Sequence, residues 1–170
     1  MISLVNNIAL IGMPGAGKST LGVLLAKRGT HGFLDVDLLI QESEGLSLPE
    51  IIETRGTEEF RHIEERCVLS LKCSNYVIAT GGSVVYCERA MEHLKQISQI
   101  VYLDVPLPVL EERLGALDAR GVVYGPGQDL ESLYAERCPL YERWADVRVE
   151  CDNFSHDEAV ERIRGAVTRR

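Results

Sequence analysis

The sequence predicts a three-layer α/β/α fold, with a central parallel sheet of five strands and helices on both faces. Three observations carry that expectation. Short apolar runs alternate with stretches of helical periodicity along the whole chain. Gly12-Met13-Pro14-Gly15-Ala16-Gly17-Lys18-Ser19-Thr20 matches the phosphate-binding loop, a glycine, four free positions, then Gly-Lys-Ser/Thr. Carboxylates and glycines close several of the other apolar runs, where open α/β sheets bind their ligands.

In order along the chain, Val5–Ile11 reads as a buried parallel strand. The loop follows, then a helix to about Arg28 with Leu21, Leu24 and Leu25 at helical spacing; Gly29 and Gly32 end it. Phe33-Leu34-Asp35-Val36-Asp37 reads as a short strand ending in carboxylates. Helices are expected at Leu38–Glu44, Leu48–Thr54 and Glu58–Lys72, the last with Phe60, Ile63, Cys67 and Leu71 on one face. Tyr76–Ala79 is a buried strand that runs into Thr80-Gly81-Gly82-Ser83. A helix near Glu88–Lys95 precedes the strand Ile100–Leu103, and Pro106 starts a helix through Leu114. The stretch from about 115 to 128 holds four glycines and a proline with little periodicity, which marks a mobile lid or a passive surface loop. A helix at Leu130–Trp144, a strand at Val147–Glu150 and a helix at His156–Thr168 close the chain.

Bulk properties narrow the function. At 170 residues the chain is one domain with a sizeable core. A net charge of −8 argues against a general nucleic-acid binder, which needs a basic surface. It leaves nucleotides open, because a phosphate site needs only local positive groups. Cys67, Cys73, Cys87, Cys138 and Cys151 are odd in number, lack paired or zinc-like spacing, and read as free thiols. With no signal peptide and no membrane-length apolar run, a cytoplasmic protein is expected. His31, His62, His93 and His156 are scattered and suggest no metal site.

The loop itself implies a nucleoside triphosphate. Its glycines let successive backbone N–H groups curl toward a phosphate at a helix N-terminus. Lys18 reaches the β- and γ-phosphates, and Ser19 can ligate Mg²⁺. An Asn-Lys-x-Asp guanine-reading motif is absent, which argues against a switch GTPase. The strands ending at Ala79 and Leu103 lack the paired acids of a motor ATPase. What remains has the economy of a small-molecule kinase.

The chain resembles the shikimate kinases, within the P-loop kinases related to nucleoside monophosphate kinases. The resemblance rests on Gly12–Thr20, Asp35-Val36-Asp37, Gly56-Thr57-Glu58-Glu59-Phe60-Arg61 with Glu64, Thr80-Gly81-Gly82, and Arg137-Cys138-Pro139-Leu140-Tyr141. These motifs stand in the family's order and spacing across about the first 150 residues. The resemblance implies a P-loop kinase fold, ATP as donor, Mg²⁺ as cofactor, shikimate as acceptor and a monomer. Gly15, Ala16, Gly17, Lys18, Ser19 and Thr20 would hold the nucleotide's phosphates; Arg113 would stack on adenine, with Asn153 contacting it from the other side. Ser19 and Asp35 would hold the metal, although Asp35 placed before a helix can also be a plain cap. Lys18, Asp37 and the lid residue Arg120 would be catalytic, Asp37 as a positioner of the acceptor hydroxyl first and a base second. Asp37, Arg61, Gly81, Gly82 and Arg137 would bind the acceptor within a helical region of about 37–72, the two arginines clamping its carboxylate. The bland alternatives are ion pairs, of Arg61 with Glu58 or Glu65 and of Arg137 with Glu136 or Glu142. Glu64, one turn after Arg61, would brace it.

The departures from the family gather on the acceptor side. Ser83 stands where a third glycine is common, Gly121-Val122 follow Arg120 in place of Pro-Leu, and Ile52 stands where an aromatic pocket wall is frequent. A second small hydroxy acid, homoserine for instance, therefore stays open as acceptor. So does an ATP-binding regulatory protein that transfers nothing.

Overall fold

The structure is a computed structural model, and it describes residues 7–115, 128–152 and 154–167. Arg120, Gly121 and Val122 of the expected lid, and Asn153, lie outside the described residues. Five strands form one all-parallel sheet: β1 (Asn7–Ile11), β2 (Gly32–Asp35), β3 (Tyr76–Ala79), β4 (Ser98–Asp104) and β5 (Val147–Glu150), in the order β2-β3-β1-β4-β5. β1 is buried at every position, as a central strand covered by helices on both faces must be. Asn7 locks its start: Nδ2 donates to the carbonyls of Cys73 and Ile97 at 2.8 Å each, and Oδ1 accepts from Tyr76 N–H at 2.9 Å.

Around the sheet stand α1 (Lys18–Gly29), α2 (Val36–Glu44), α3 (Leu48–Leu69), α4 (Glu88–Ile97), α5 (Leu107–Gly115), α6 (Leu130–Trp144) and α7 (His156–Val167). The core joins Leu10, Ile11 and Val101 of the sheet to Leu25, Ile63, Leu94, Tyr141 and Ile163 of the helices. None of the described helices is long and apolar enough to cross a membrane.

Beyond shifts of a residue or two at element ends, the structure departs from the sequence reading in three places. β2 ends at Asp35, and Asp37 sits in the first turn of α2. The cause is local, because the Asp35 side chain accepts the N–H groups of Asp37 and Leu38 and starts the helix there. The two expected helices at 48–54 and 58–72 form one span broken at Gly56, whose φ of 84° is non-helical; the span ends at Leu69. A short 3₁₀ turn at Val84–Tyr86, too brief to show periodicity, follows the Gly81-Gly82 turn.

Candidate functional site

The phosphate loop leaves β1 at the centre of the sheet, with strands paired on both sides. That is the point beyond the strand ends where α/β sheets bind ligands. Gly12 is required there: its φ is 148°, and a Cβ would stand 2.8 Å from the Leu103 carbonyl oxygen. The loop passes directly into α1, whose first residue is Lys18. Lys18 folds back along the loop, donating to the Gly12 carbonyl at 2.8 Å and the Met13 carbonyl at 2.9 Å. Burial pulls its ammonium down to about 8, with Asp37 opposing the shift. Gly15, Ala16 and Gly17 form the turn ahead of Lys18, and Ser19 and Thr20 are exposed at the first turn of α1. Arg113, from α5, donates to the Gly15 carbonyl at 3.2 Å and so lies at the rim of the loop.

Asp35 turns out to be both a cap and a metal-site candidate, because its two oxygens divide the tasks. Oδ1 accepts the α2 amides, while Oδ2 accepts the Ser19 hydroxyl at 2.5 Å. A hydroxyl and a carboxylate, both hard oxygen donors on an exposed edge of the loop, suit Mg²⁺. That ion takes few protein ligands and completes its shell with water and phosphate oxygens.

Beside the loop lies a cleft lined by Pro14, Asp37, Leu48, Phe60, Glu64, Gly81, Gly82, Ser83 and Arg137. Pro14 belongs to the phosphate loop, so the cleft and the loop share a wall. Of the described site residues, Asp37, Gly81, Gly82 and Arg137 line this cleft. Burial pushes the Asp37 carboxyl up and Lys18 opposes it, so the two groups sense each other across that wall. Arg137 is only 2% exposed. Its Nε donates to the Tyr86 hydroxyl at 3.1 Å, and a Cβ on Gly82 would come within 3.0 Å of its Nη1. Tyr141 holds the glycine turn by donating to the Gly82 carbonyl at 2.6 Å.

Arg61 is placed at the rim rather than in the cleft wall, its guanidinium carbon 4.5 Å from the centre of the Tyr86 ring. Three of the four carboxylates that offered the bland alternatives have other partners. Glu65 pairs with Arg89 at 3.1 Å, Glu142 with Arg148 at 3.3 Å, and Glu136 accepts the Tyr86 hydroxyl at 2.5 Å. The expected brace from Glu64 to Arg61 is corrected. Glu64 is buried, and its Oε2 accepts the Ser83 hydroxyl at 2.6 Å. Its Oε1 is buried without a hydrogen-bond partner, and burial pushes the carboxyl up to about 7. A Cβ on Gly81 would meet that Oε1 at 2.2 Å and Asp37 Oδ1 at 3.0 Å, so only glycine fits between the two carboxyls. The apolar side of the cleft is Leu48 and Phe60, while Ile52 packs against the core.

Tyr86 and the Ser83–Glu64 pair are the features in and beside the cleft that sequence reasoning missed. A tyrosine just past a Gly-Gly turn carries no pattern that separates it from packing. Ser83 was visible only as a departure from glycine. No cysteine lines the cleft, and burial raises the thiols of Cys67, Cys73, Cys87, Cys138 and Cys151.

The arrangement sets a glycine-rich loop at a helix N-terminus, an ammonium and a hydroxyl–carboxylate pair against a cleft lined by a buried guanidinium. This is the layout of a transfer between a nucleotide and a small anion. Comparison with known proteins agrees. The family model for shikimate kinase matches residues 14–168. The shikimate kinase of a Sulfurihydrogenibium species is 33% identical over 165 residues, covering 96% of this chain and 99% of that protein. Threonine synthase-like 1 of Pongo abelii is 34% identical across 96% of this chain, which spans 22% of that larger protein. Among solved structures, shikimate kinase from Acinetobacter baumannii in complex with shikimate superposes with a TM-score of 0.84 at 31% identity, covering 95% of this chain and 92% of that one. Fold, site layout and relatives meet in one conclusion: the chain is an ATP-dependent small-molecule kinase that belongs to the shikimate kinase family.

Proposed function

We propose that residues 1–170 act as one catalytic domain that moves the γ-phosphoryl group of ATP to a hydroxyl of shikimate, giving shikimate 3-phosphate for aromatic amino-acid biosynthesis. The observation that carries the reading is the shared wall. Pro14 lines both the phosphate loop and the cleft that Asp37 and Arg137 close.

In this reading the loop amides from Gly15 to Thr20 and the Lys18 ammonium cradle the β- and γ-phosphates, while Arg113 lies against the adenine side with Asn153. Ser19 and Asp35 would hold Mg²⁺, which would supply charge neutralisation on the phosphate oxygens. Asp37 accepts a hydrogen bond from the attacking hydroxyl and aims it. Phosphoryl transfer has a loose transition state that rewards alignment over strong base strength. Arg61 and Arg137 grip the acceptor's carboxylate, and the Gly81-Gly82 backbone lets the ring approach. Arg120 adds a cation to the transferring group, where charge develops.

Release of ADP measured with shikimate, homoserine and a panel of small hydroxy acids tests the assignment. Shikimate should be turned over well above the rate with water alone. Turnover of homoserine in its place would move the acceptor assignment while leaving the kinase. No turnover of any acceptor, with ATP still bound, would leave a nucleotide-binding regulatory protein.

A further inference from the structure

The two guanidinium groups that would meet the acceptor's carboxylate converge on one side chain to which the reading above gives no task. The guanidinium carbons of Arg61 and Arg137 lie 4.5 Å and 5.1 Å from the centre of the Tyr86 ring. The Tyr86 hydroxyl accepts from Arg137 Nε at 3.1 Å and donates onward to Glu136 at 2.5 Å. Glu136 is itself held by Gln128, whose amide donates to its second oxygen at 2.8 Å. Tyr86 therefore has its ring and its hydroxyl both engaged. Its backbone closes the 3₁₀ turn that leads from the cleft's glycines into α4.

The chemistry of the contact matters. An arginine on an exposed helix face samples many rotamers, and an anion that binds it must first gather them. A carboxylate brace would gather them too, but it would compete with the ligand's own carboxylate for the guanidinium. An aromatic face holds a cation through its quadrupole and cancels none of its charge. In this chain the nearby carboxylate, Glu64, accepts the Ser83 hydroxyl with one oxygen. The contact that Arg61 makes is with the Tyr86 ring.

We propose that Tyr86 is the positioning residue of the anion clamp: its ring and hydroxyl hold Arg61 and Arg137 at a fixed separation, fully charged, for the carboxylate of one small acceptor. The inference rests on the kinase reading above for its ligand, but the preorganisation itself exists in the free protein.

Two variants separate ring from hydroxyl. Tyr86→Phe keeps the platform and loses the Arg137 bond; Tyr86→Leu loses both. With shikimate as acceptor, KM for shikimate should rise roughly 5- to 30-fold in Tyr86→Leu, the loss of a partly desolvated cation–ring contact. It should rise less in Tyr86→Phe. KM for ATP should stay within about twofold in both, because the nucleotide's groups are untouched. Arginine Nε–H NMR signals of the free protein, assigned through Arg61→Lys and Arg137→Lys, read the clamp without any acceptor. Both should be sharp and ring-shifted in the wild type, and averaged in Tyr86→Leu; Tyr86→Phe should keep the Arg61 signal. An unchanged KM for shikimate in Tyr86→Leu would overturn the proposal. So would equal rises in both KM values with a lowered melting temperature, which would mark Tyr86 as plain packing. If the wild type turns over no shikimate while the arginine signals respond as described, the acceptor assignment has failed and the positioning role stands. If those signals are already averaged in the wild type, the positioning role is wrong whatever the acceptor.

Discussion

Glu64 binds a proton more tightly folded than unfolded. Burial lifts its carboxyl from an ordinary 4.5 to about 7, with Ser83 donating to one oxygen and the other left without a partner. Between those values the unfolded chain has lost the proton and the folded chain keeps it. The contribution to stability is therefore complete below pH 4.5 and shrinks as pH rises toward 7, at up to about 1.4 kcal/mol per pH unit. Glu64→Gln removes that titration. Denaturant melts at pH 5 and pH 7 should show the variant gaining on the wild type as pH rises. A constant gap between the two proteins would mean that Glu64 does not titrate in this window. At this scale the sequence was an uneven guide. Lys18 was legible because the phosphate-loop motif fixes its type, whereas Asp37 and Arg137 were legible only through the family resemblance. The partner of Glu64 was not, because the choice between Arg61 and Ser83 is made by a turn whose path depends on tertiary packing.

The junction of β2 and α2 shows how one element boundary serves two tasks. Asp35 caps α2 with one oxygen and accepts from Ser19 with the other. Asparagine caps nearly as well as aspartate but carries no charge for a metal. Asp35→Asn should thus keep stability within a few tenths of a kcal/mol, yet lose activity and demand more Mg²⁺ for half-maximal rate. Asp35→Ala should lose activity and also about 1 kcal/mol of stability with the cap. Thermal melts beside Mg²⁺ titrations of the rate would separate the two. If Asp35→Asn keeps its Mg²⁺ requirement, the carboxylate is a cap alone. The strands and the larger helices were readable from apolar runs and helical spacing. The shifts came where a side chain overrode the pattern, as Asp35 does at α2, or where an element was too short to have one, as at Val84–Tyr86.

On the scale of the whole molecule, the proposed nucleotide site would draw on β1, α1 and α5, so ATP should stabilise the entire fold. Mass action gives about 2.7 kcal/mol at a hundredfold excess over Kd. The effect should fade in alkali. Free Lys18 holds its charge only below about pH 8, and a bound polyanion favours the charged form, so affinity falls as pH climbs past that value. Thermal shifts with ATP at pH 7 and pH 9.5 would check this; equal shifts would place Lys18 away from the phosphates. The sheet that makes such coupling possible was the most legible feature of all, since alternating strand and helix patterns leave few other arrangements. Its order also bears on birth of the protein. Asn7, at the start of β1, is anchored by backbone groups 66 and 90 positions further on. A ribosome therefore releases the phosphate loop long before the strands that flank β1 can pack beside it. Tight binding of ATP by the nascent chain is therefore expected only after the segment through Asp104 has emerged and paired beside it.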